Sequence, residues 1–439
     1  MKRPKSTATD PKPALTPKLR FPEFHHGLAW HEKSMGDTYS FKGNNSLSRE
    51  KLNYKNGAVK NIHYGDIHTK FSTLFDITKE SVPFINPSES LDGFRAENDC
   101  AERDMVFADA SEDLDDIGKS IEIIALNGER VVAGLHTILA RPNGGELATG
   151  FGGYLFKCRR VRVQIEKESQ GSKVLGISAT RLAKIDLPFP PTCAEQRKIA
   201  ECLSTLDELI EAESDKLESL KLRKSWLLQQ LFPREPETTP RLRFREFRNA
   251  GAWPTKLGGE LFTNRKEVGE KGLPIYSVTI NDGMIPRASF DRDFSDIEEP
   301  AGNKKVCQGD IAYNMMRMWQ GAQGVARKDC MVSPAYVVLA PRSGVCPYFF
   351  AYLFKLPQSL LLLTAISRGL TKDRLRLYFD DFARMKLCIP DFAEQQKIAS
   401  CLASLDELIA AQGETIEALT THKKGLMQRL FPTPEVAEA

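Results

Sequence analysis

The chain has 439 residues, 41% hydrophobic and 27% charged, with a formal net charge of +3 at pH 7. That composition excludes wholesale disorder, and the length corresponds to roughly three structural units at about 150 residues each. The longest apolar run, residues 359–366, falls far short of the roughly 18 residues of a membrane span, so a soluble, cytoplasmic protein is expected.

Residues 1–17 are basic without an apolar stretch and read as a flexible arm rather than a leader. Residues 1–70 hold 13 Lys/Arg against 6 Asp/Glu, and residues 366–390 hold six basic against three acidic. Such local excess suits a polyanion partner. Nine cysteines with no Cys-x-x-Cys pair point to reduced thiols, and the histidines lack companions for a metal site, so no metal is expected.

The chain repeats itself. Residues 194–233 and 393–432 align without a gap at an offset of 199, with 22 identities in 40 positions. Upstream of each, Lys-Leu-Arg-Phe-Pro-Glu-Phe (18–24) matches Arg-Leu-Arg-Phe-Arg-Glu-Phe (241–247). The same offset aligns Trp30 with Trp253, Lys33 with Lys256 and Gly36 with Gly259. The organisation is therefore arm 1–17, first domain with lead-in 18–190, central helix 191–233, second domain with lead-in 234–390, distal helix 391–432 and tail 433–439.

In the first domain, residues 121–125, 131–132 and 154–163 read as strands, with a turn at 143–145. The central helix carries apolar residues at alternating steps of four and three: Ile199, Leu203, Leu206, Ile210, Leu217, Leu220, Leu227 and Leu231. In the second domain, 275–280 and 335–339 read as strands, 281–283 as a turn and 348–367 as a helix. The distal helix repeats the ladder at Ile398, Leu402, Leu405, Ile409, Ile416, Leu419, Leu426 and Leu430. A 3.5-residue period held this long is a coiled-coil seam, narrower than the stripe of a core-facing helix. Each helix wants a partner, and antiparallel pairing with its duplicate suits a pseudo-twofold repeat. One register brings Glu213 near Lys423 and Gln412 near Lys224.

Tyr64-Gly65-Asp66-Ile67 resembles Gln308-Gly309-Asp310-Ile311. Residues 117–120 imitate the end of a phosphate loop but lack its first glycine, and residues 151–153 lack the following glycine of a dinucleotide loop. No methyltransferase, esterase or zinc-protease motif occurs, so a non-catalytic chain is expected.

The paired Ala-Glu-Gln-x-Lys-Ile-Ala helices ending in Leu-Phe-Pro, the Leu-Arg-Phe-x-Glu-Phe lead-ins and the two unlike domains resemble the DNA-specificity subunit of type I restriction-modification systems. The Gly-Asp-Ile triplets and Val332-Ser333-Pro334-Ala335-Tyr336 also look like that family. The resemblance implies an α+β fold: two target-recognition domains joined by two long helices in an antiparallel coiled coil. Each domain would read one half of a bipartite site in double-stranded DNA, and the helices would set the unread spacer. Two modification subunits with S-adenosylmethionine would methylate adenines, and restriction subunits with ATP and Mg would cut. No cofactor would sit on this chain.

Polar and basic loops able to meet base edges and phosphates give the candidate DNA-binding residues. In the first domain these are Lys42, Asn44, Asn45, Arg49, His68, Lys70, Ser172 and Lys173. In the second they are Arg317, Trp319, Gln320, Gln323, Arg368, Lys372 and Arg374. Met315, Met316 and Met318 read as core. The competing expectation is a coiled-coil adaptor presenting two protein-binding domains, which would have no affinity for duplex DNA.

Overall fold

The computed structural model describes residues 15–289, 302–371 and 374–433. Two compact units emerge: Met1–Glu213 with Thr415–Ala439, and Ser214–Glu414. A central helix (Cys193–Leu231) and a distal helix (Phe392–Leu430), each of 39 residues, contribute to both.

The first unit is built on a five-stranded sheet in the order Tyr39–Lys42, Thr137–Pro142, Met105–Ala108, Ser120–Ala125, Leu74–Asp76, antiparallel except for its last pair. Strand alternation gives this sheet two buried faces. Met105 and Phe107 enter a core with Trp30, Phe151 and the helix ends, whereas Val106 and Ala108 enter a second core with Ile62 and Val131. Ile62 and Val131 belong to a four-stranded sheet, Val131–Ala133, Lys60–Ile62, Phe84–Ile85, Leu52–Asn53.

The second unit has a four-stranded antiparallel sheet, Phe262–Asn264, Tyr336–Pro341, Ile311–Asn314, Gln323–Val325. It is buried on both faces in the same manner, with Ile311 and Tyr313 on one side and Ala312 on the other. In each unit the strand after the lead-in pairs with the strand before the long helix: His31–Ser34 with Asp186–Phe189, and Thr255–Leu257 with Lys386–Cys388. That pairing delivers the lead-in to the start of the helix.

Four expectations are corrected. Residues 154–163 are helical, within Phe151–Leu155 and Arg159–Glu168; fully buried Val161 and Ile165 lie four apart, on one helical face. The helix expected over 348–367 is two, Pro347–Leu353 and Pro357–Ile366, bent by 87°, because Pro357 cannot continue the preceding turn. Among the described residues no single helix is long and apolar enough to cross a membrane. The arm is not free to its end, since Leu15 bridges Trp30.

The fourth concerns the Gly-Asp-Ile triplets, which are not equivalent. Tyr64–Thr69 is a short helix, whereas Gly309-Asp310 is the turn into strand Ile311–Asn314. The counterpart of Gly309-Asp310 is Arg103-Asp104, before strand Met105–Ala108. Arg103 and Gly309 share a left-handed backbone, φ 76° and 90°, and both aspartates are buried. Asp310 is paired with Arg265 at 2.7 Å, but Asp104 takes Arg141 from a different strand at 2.8 Å. One buried carboxylate is satisfied by arginines from two places in the sequence.

Candidate nucleic-acid interface

The duplicated motifs form a clamp. At the start of the central helix, Glu195 accepts both arms of Arg20 at 2.7 Å and Trp30 Nε1 at 3.2 Å. Gln196 accepts from Ala148 N and donates to the Glu146 and Pro190 carbonyls. Lys198 faces Glu23 and the Phe21 ring. The second unit repeats these contacts, Arg243 on Glu394, Gln395 on Cys346 N and the Pro390 carbonyl, Lys397 on Glu246 and Phe244, except that Trp253 Nε1 is buried without the hydrogen bond that Trp30 makes. The lead-in and the helix motif are thus the two halves of one joint.

Each helix starts in one repeat and finishes in the other. Leu430 and Phe431 close the first core, with Phe431 stacked on Phe151 at 5.7 Å and edge-on to Trp30. Leu231 and Phe232 close the second, against Phe349 and Trp253. Leu19 N donates to Arg429 O, and Leu242 N to Gln230 O.

Within each unit the two helices run antiparallel. In the first, Ile199 and Leu203 share a core with Leu426 and Leu430, and Lys423 pairs with Asp207; in the second, Leu227 and Leu231 share one with Ile398 and Leu402, and Lys224 pairs with Asp406. Leu405 is also buried, and Leu206, Ile210, Leu217, Leu220, Ile409, Ile416 and Leu419 are half-buried.

The expected partners of the two lysines, Glu213 and Gln412, are therefore replaced by aspartates six residues, nearly two turns, earlier. The domains make that choice. Tyr154 donates to Asp207 at 2.8 Å and Tyr352 to Asp406 at 2.7 Å, and each lysine lies over the same tyrosine ring. Burial and the adjacent carboxylate push both phenols upward. Sequence reading missed this constellation, although Tyr-Leu-Phe-Lys occurs at both 154–157 and 352–355.

In the first unit the candidate loops converge on the turn before strand Thr137–Pro142. Asn44 donates to Thr137 O at 2.6 Å, and Asn45 to Ala133 O at 2.8 Å and Asn61 at 2.7 Å, so both asparagines fasten the 42–49 loop. Arg49 forks onto the fully buried Asp66 at 2.9 and 3.0 Å, and Lys70 reaches Asp66 and the Tyr54 hydroxyl, each at 2.9 Å. These contacts hold two exposed cations on a rigid base. Burial and Arg49 together lower the pKa of neighbouring His63.

His68 Nε2 lies 3.1 Å from Ala110 O, and strand Leu175–Gly176 pairs with Ala110–Ser111. The 170–173 loop, with Ser172 and Lys173 exposed, is thereby placed beside a recess of about 410 Å3 that includes His136. His136 meets Tyr64 and Asp109. Lys42 is half-buried.

In the second unit, Arg317 and Gln320 are exposed around the turn Met318–Gln320, which fully buried Met318 anchors. Trp319 is half-buried and donates to Met316 O at 2.9 Å, and Met316 itself is exposed rather than core. Leu377 N donates to Met315 O, drawing this turn beside the Arg368/Arg376 backbone pair. Arg368 binds Asp381 at 2.6 Å and lies over Tyr378; Arg374 is exposed. Gln323 does not belong with them. It is 1% exposed and donates inward to Ala351 O at 2.8 Å, as a strand residue facing the helix layer. Lys372 lies outside the described residues.

Residues 30–222 match the family model described as the type I restriction modification DNA specificity domain. A putative type I restriction enzyme MjaX specificity subunit of Methanocaldococcus jannaschii is 25% identical over 347 residues, 75% of this chain and 77% of that one. A putative type I specificity subunit, S.MgeORF438P, of Mycoplasma genitalium is 20% identical over 439 residues, 95% and 97% of the two chains. Among solved structures, a type I restriction-modification S subunit from M. genitalium has a TM-score of 0.58 at 16% identity, covering 95% of this chain and 100% of that one. A structure titled for complex assembly and conformational transition of a type I R-M system gives 0.52 at 16% identity, covering 92% and 97%.

Proposed function

Since this chain belongs to the type I restriction-modification DNA specificity family, we propose that it directs partner subunits to a bipartite, asymmetric site in double-stranded DNA. The loops around Arg49, Lys70 and Lys173 read one half, and those around Arg317, Gln320 and Arg374 the other. The helix pair fixes the unread gap. Two modification subunits, which bind S-adenosylmethionine, methylate an adenine in each half; restriction subunits, using ATP and Mg, cleave duplex that lacks the marks. This chain performs neither reaction and works in the cytoplasm.

The observation that carries this reading is one clamp built twice, by Arg20–Glu195 and Arg243–Glu394, beneath two sets of loops with no sequence in common. An identical frame presents both surfaces in the same manner, and unlike loops make the two codes differ. The exposed arginines and lysines suit phosphate contacts, and Gln320 and the arginine forks suit base edges.

Single-molecule detection of N6-methyladenine in a host expressing the chain with its modification partner tests the proposal. A motif of two short specified halves around a fixed gap is expected. A folded, active complex that adds no new motif would overturn it in favour of a protein-binding adaptor.

A further inference from the structure

The first unit contains a cationic cleft that the reading loops do not use. It measures about 650 Å3 and is lined by Lys119, Lys157, Arg159 and Arg162 together with Lys424 of the distal helix. Carboxylates occupy only part of this charge. Lys119 is paired with Asp116 at 3.2 Å and Arg159 with Glu166 at 2.6 Å. Lys157 donates to the Thr73 hydroxyl and Arg162 to the Asp115 carbonyl at 3.0 Å, so among the described residues neither of these desolvated cations has an anionic partner in hydrogen-bond range. Burial lowers the pKa of both, that of Lys157 to about 8.

The sister repeat keeps a lysine, Lys355, at the place of Lys157, but packing does not explain Arg162. The Tyr-Leu-Phe-Lys repeat aligns the helix Arg159–Glu168 with Pro357–Ile366 at an offset of 198. There Pro357 replaces Arg159, and Leu360, packed against the second core, replaces Arg162. A leucine fills this place in one repeat, and in the other a guanidinium whose burial the nearby Glu166, Asp116 and Asp115 only partly offset.

We propose that this cleft binds a phosphodiester of the duplex, at a point that contributes no sequence information. It rests on the DNA-reading function proposed above. A phosphate supplies the missing anion, and the Arg162 fork with the Lys157 and Lys424 ammoniums matches its oxygens. The cleft's lining favours nucleic acid over an acidic protein segment. Apart from Phe156 it presents charged and polar side chains, the composition of a DNA interface rather than of a protein interface core.

The test uses the complete complex with its modification partner. Wild type is compared with Arg162→Leu, the residue of the sister repeat, with Arg162→Lys, and with Lys424→Gln. Affinity is measured between 50 and 200 mM salt for one duplex carrying the methylated motif and one lacking it. Each loss of a phosphate contact is expected to flatten the slope of log K against log salt by about 0.9 and to weaken both duplexes by the same factor, leaving the motif unchanged. Arg162→Lys is expected to keep the wild-type slope, which separates charge from folding.

Unchanged slopes and affinities in variants of a DNA-binding complex overturn this inference alone. So does intact DNA affinity with lost subunit assembly, which would assign the cleft to an acidic group of a partner protein. A wild-type complex that binds neither duplex overturns the functional reading as well.

Discussion

Arg20 and Glu195 lie 175 positions apart in sequence and meet in a two-pronged ion pair whose side chains are only 9% and 2% exposed. Removing the arginine leaves a carboxylate buried beside Trp30. Arg20→Ala is expected to destabilise the protein by about 3–5 kcal/mol in urea melts, and Arg20→Met with Glu195→Met by clearly less than either single change. Arg243→Ala tests the same joint in the second unit.

The ion pair of Lys423 with Asp207 is partly exposed, so its loss is cheaper than that of the clamp. Asp207→Lys is expected to cost about 1–2 kcal/mol, since it also strips Tyr154 of its acceptor, and Lys423→Asp in the same chain to recover part of that loss. Reversal of Glu213 with Lys423 should show no such rescue in the same melts.

Exposure separates the proposed reading residues, Arg317 and Gln320, from Gln323, which is buried. Arg317→Ala and Gln320→Ala are expected to relax one half of the methylated motif, each costing about 1–3 kcal/mol of discrimination, with melting unchanged. Gln323→Ala, buried on the same strand system, should lower the melting temperature and leave the motif intact.

If the helix pair sets the gap, it can be lengthened. Seven residues inserted after Glu213 and seven after Glu414 keep the heptad phase and add about 10 Å to each helix. The unread gap in the methylome is expected to grow by one to three base pairs while both halves stay the same. Insertion in one helix alone should unfold the joint.

Lys157 makes a prediction in pH. Its ordinary pKa of 10.5 falls to about 8 in the fold, through burial and the charges of Lys423, Lys119 and Arg162, against the opposing pull of Asp207. Between pH 8 and 10.5 the native state therefore binds fewer protons than the unfolded chain, and stability rises with pH; below 8 the full cost remains. Lys157→Met is expected to raise stability at pH 7 by up to about 3 kcal/mol and to abolish that rise, while weakening DNA binding. Thermal melts from pH 7 to 10 check it.

What the sequence disclosed and what it hid divide along local and tertiary lines. The ladder from Ile199 to Leu231 and its duplicate are visible because a seam is a one-dimensional pattern. The register was not, because Tyr154 and Tyr352, outside the two long helices, select Asp207 and Asp406. Val161 and Val163 imitate strand alternation, yet the buried pair is Val161 and Ile165. Asn44 and Asn45 have the chemistry of base readers but serve backbone carbonyls. The kinship of Asp104 with Asp310 was masked because Arg103, not glycine, takes the left-handed turn.

The Leu-Phe ends of the helices carry a consequence for how such a chain is encoded. Leu231-Phe232 plugs the socket of the second repeat, and Leu430-Phe431 plugs that of the first, where Arg160 also binds Thr433 O. Residues 429–433 thus fasten onto the first unit beside Leu19 and Arg160, and the fold of each unit does not depend on which lead-in comes first along the chain. Opening it between residues 234 and 240 and splicing 433 to 18 would specify the same folded object. On the function proposed above, exchanging the coding segment of either half for a foreign one is expected to alter one word of a two-word address without touching the other.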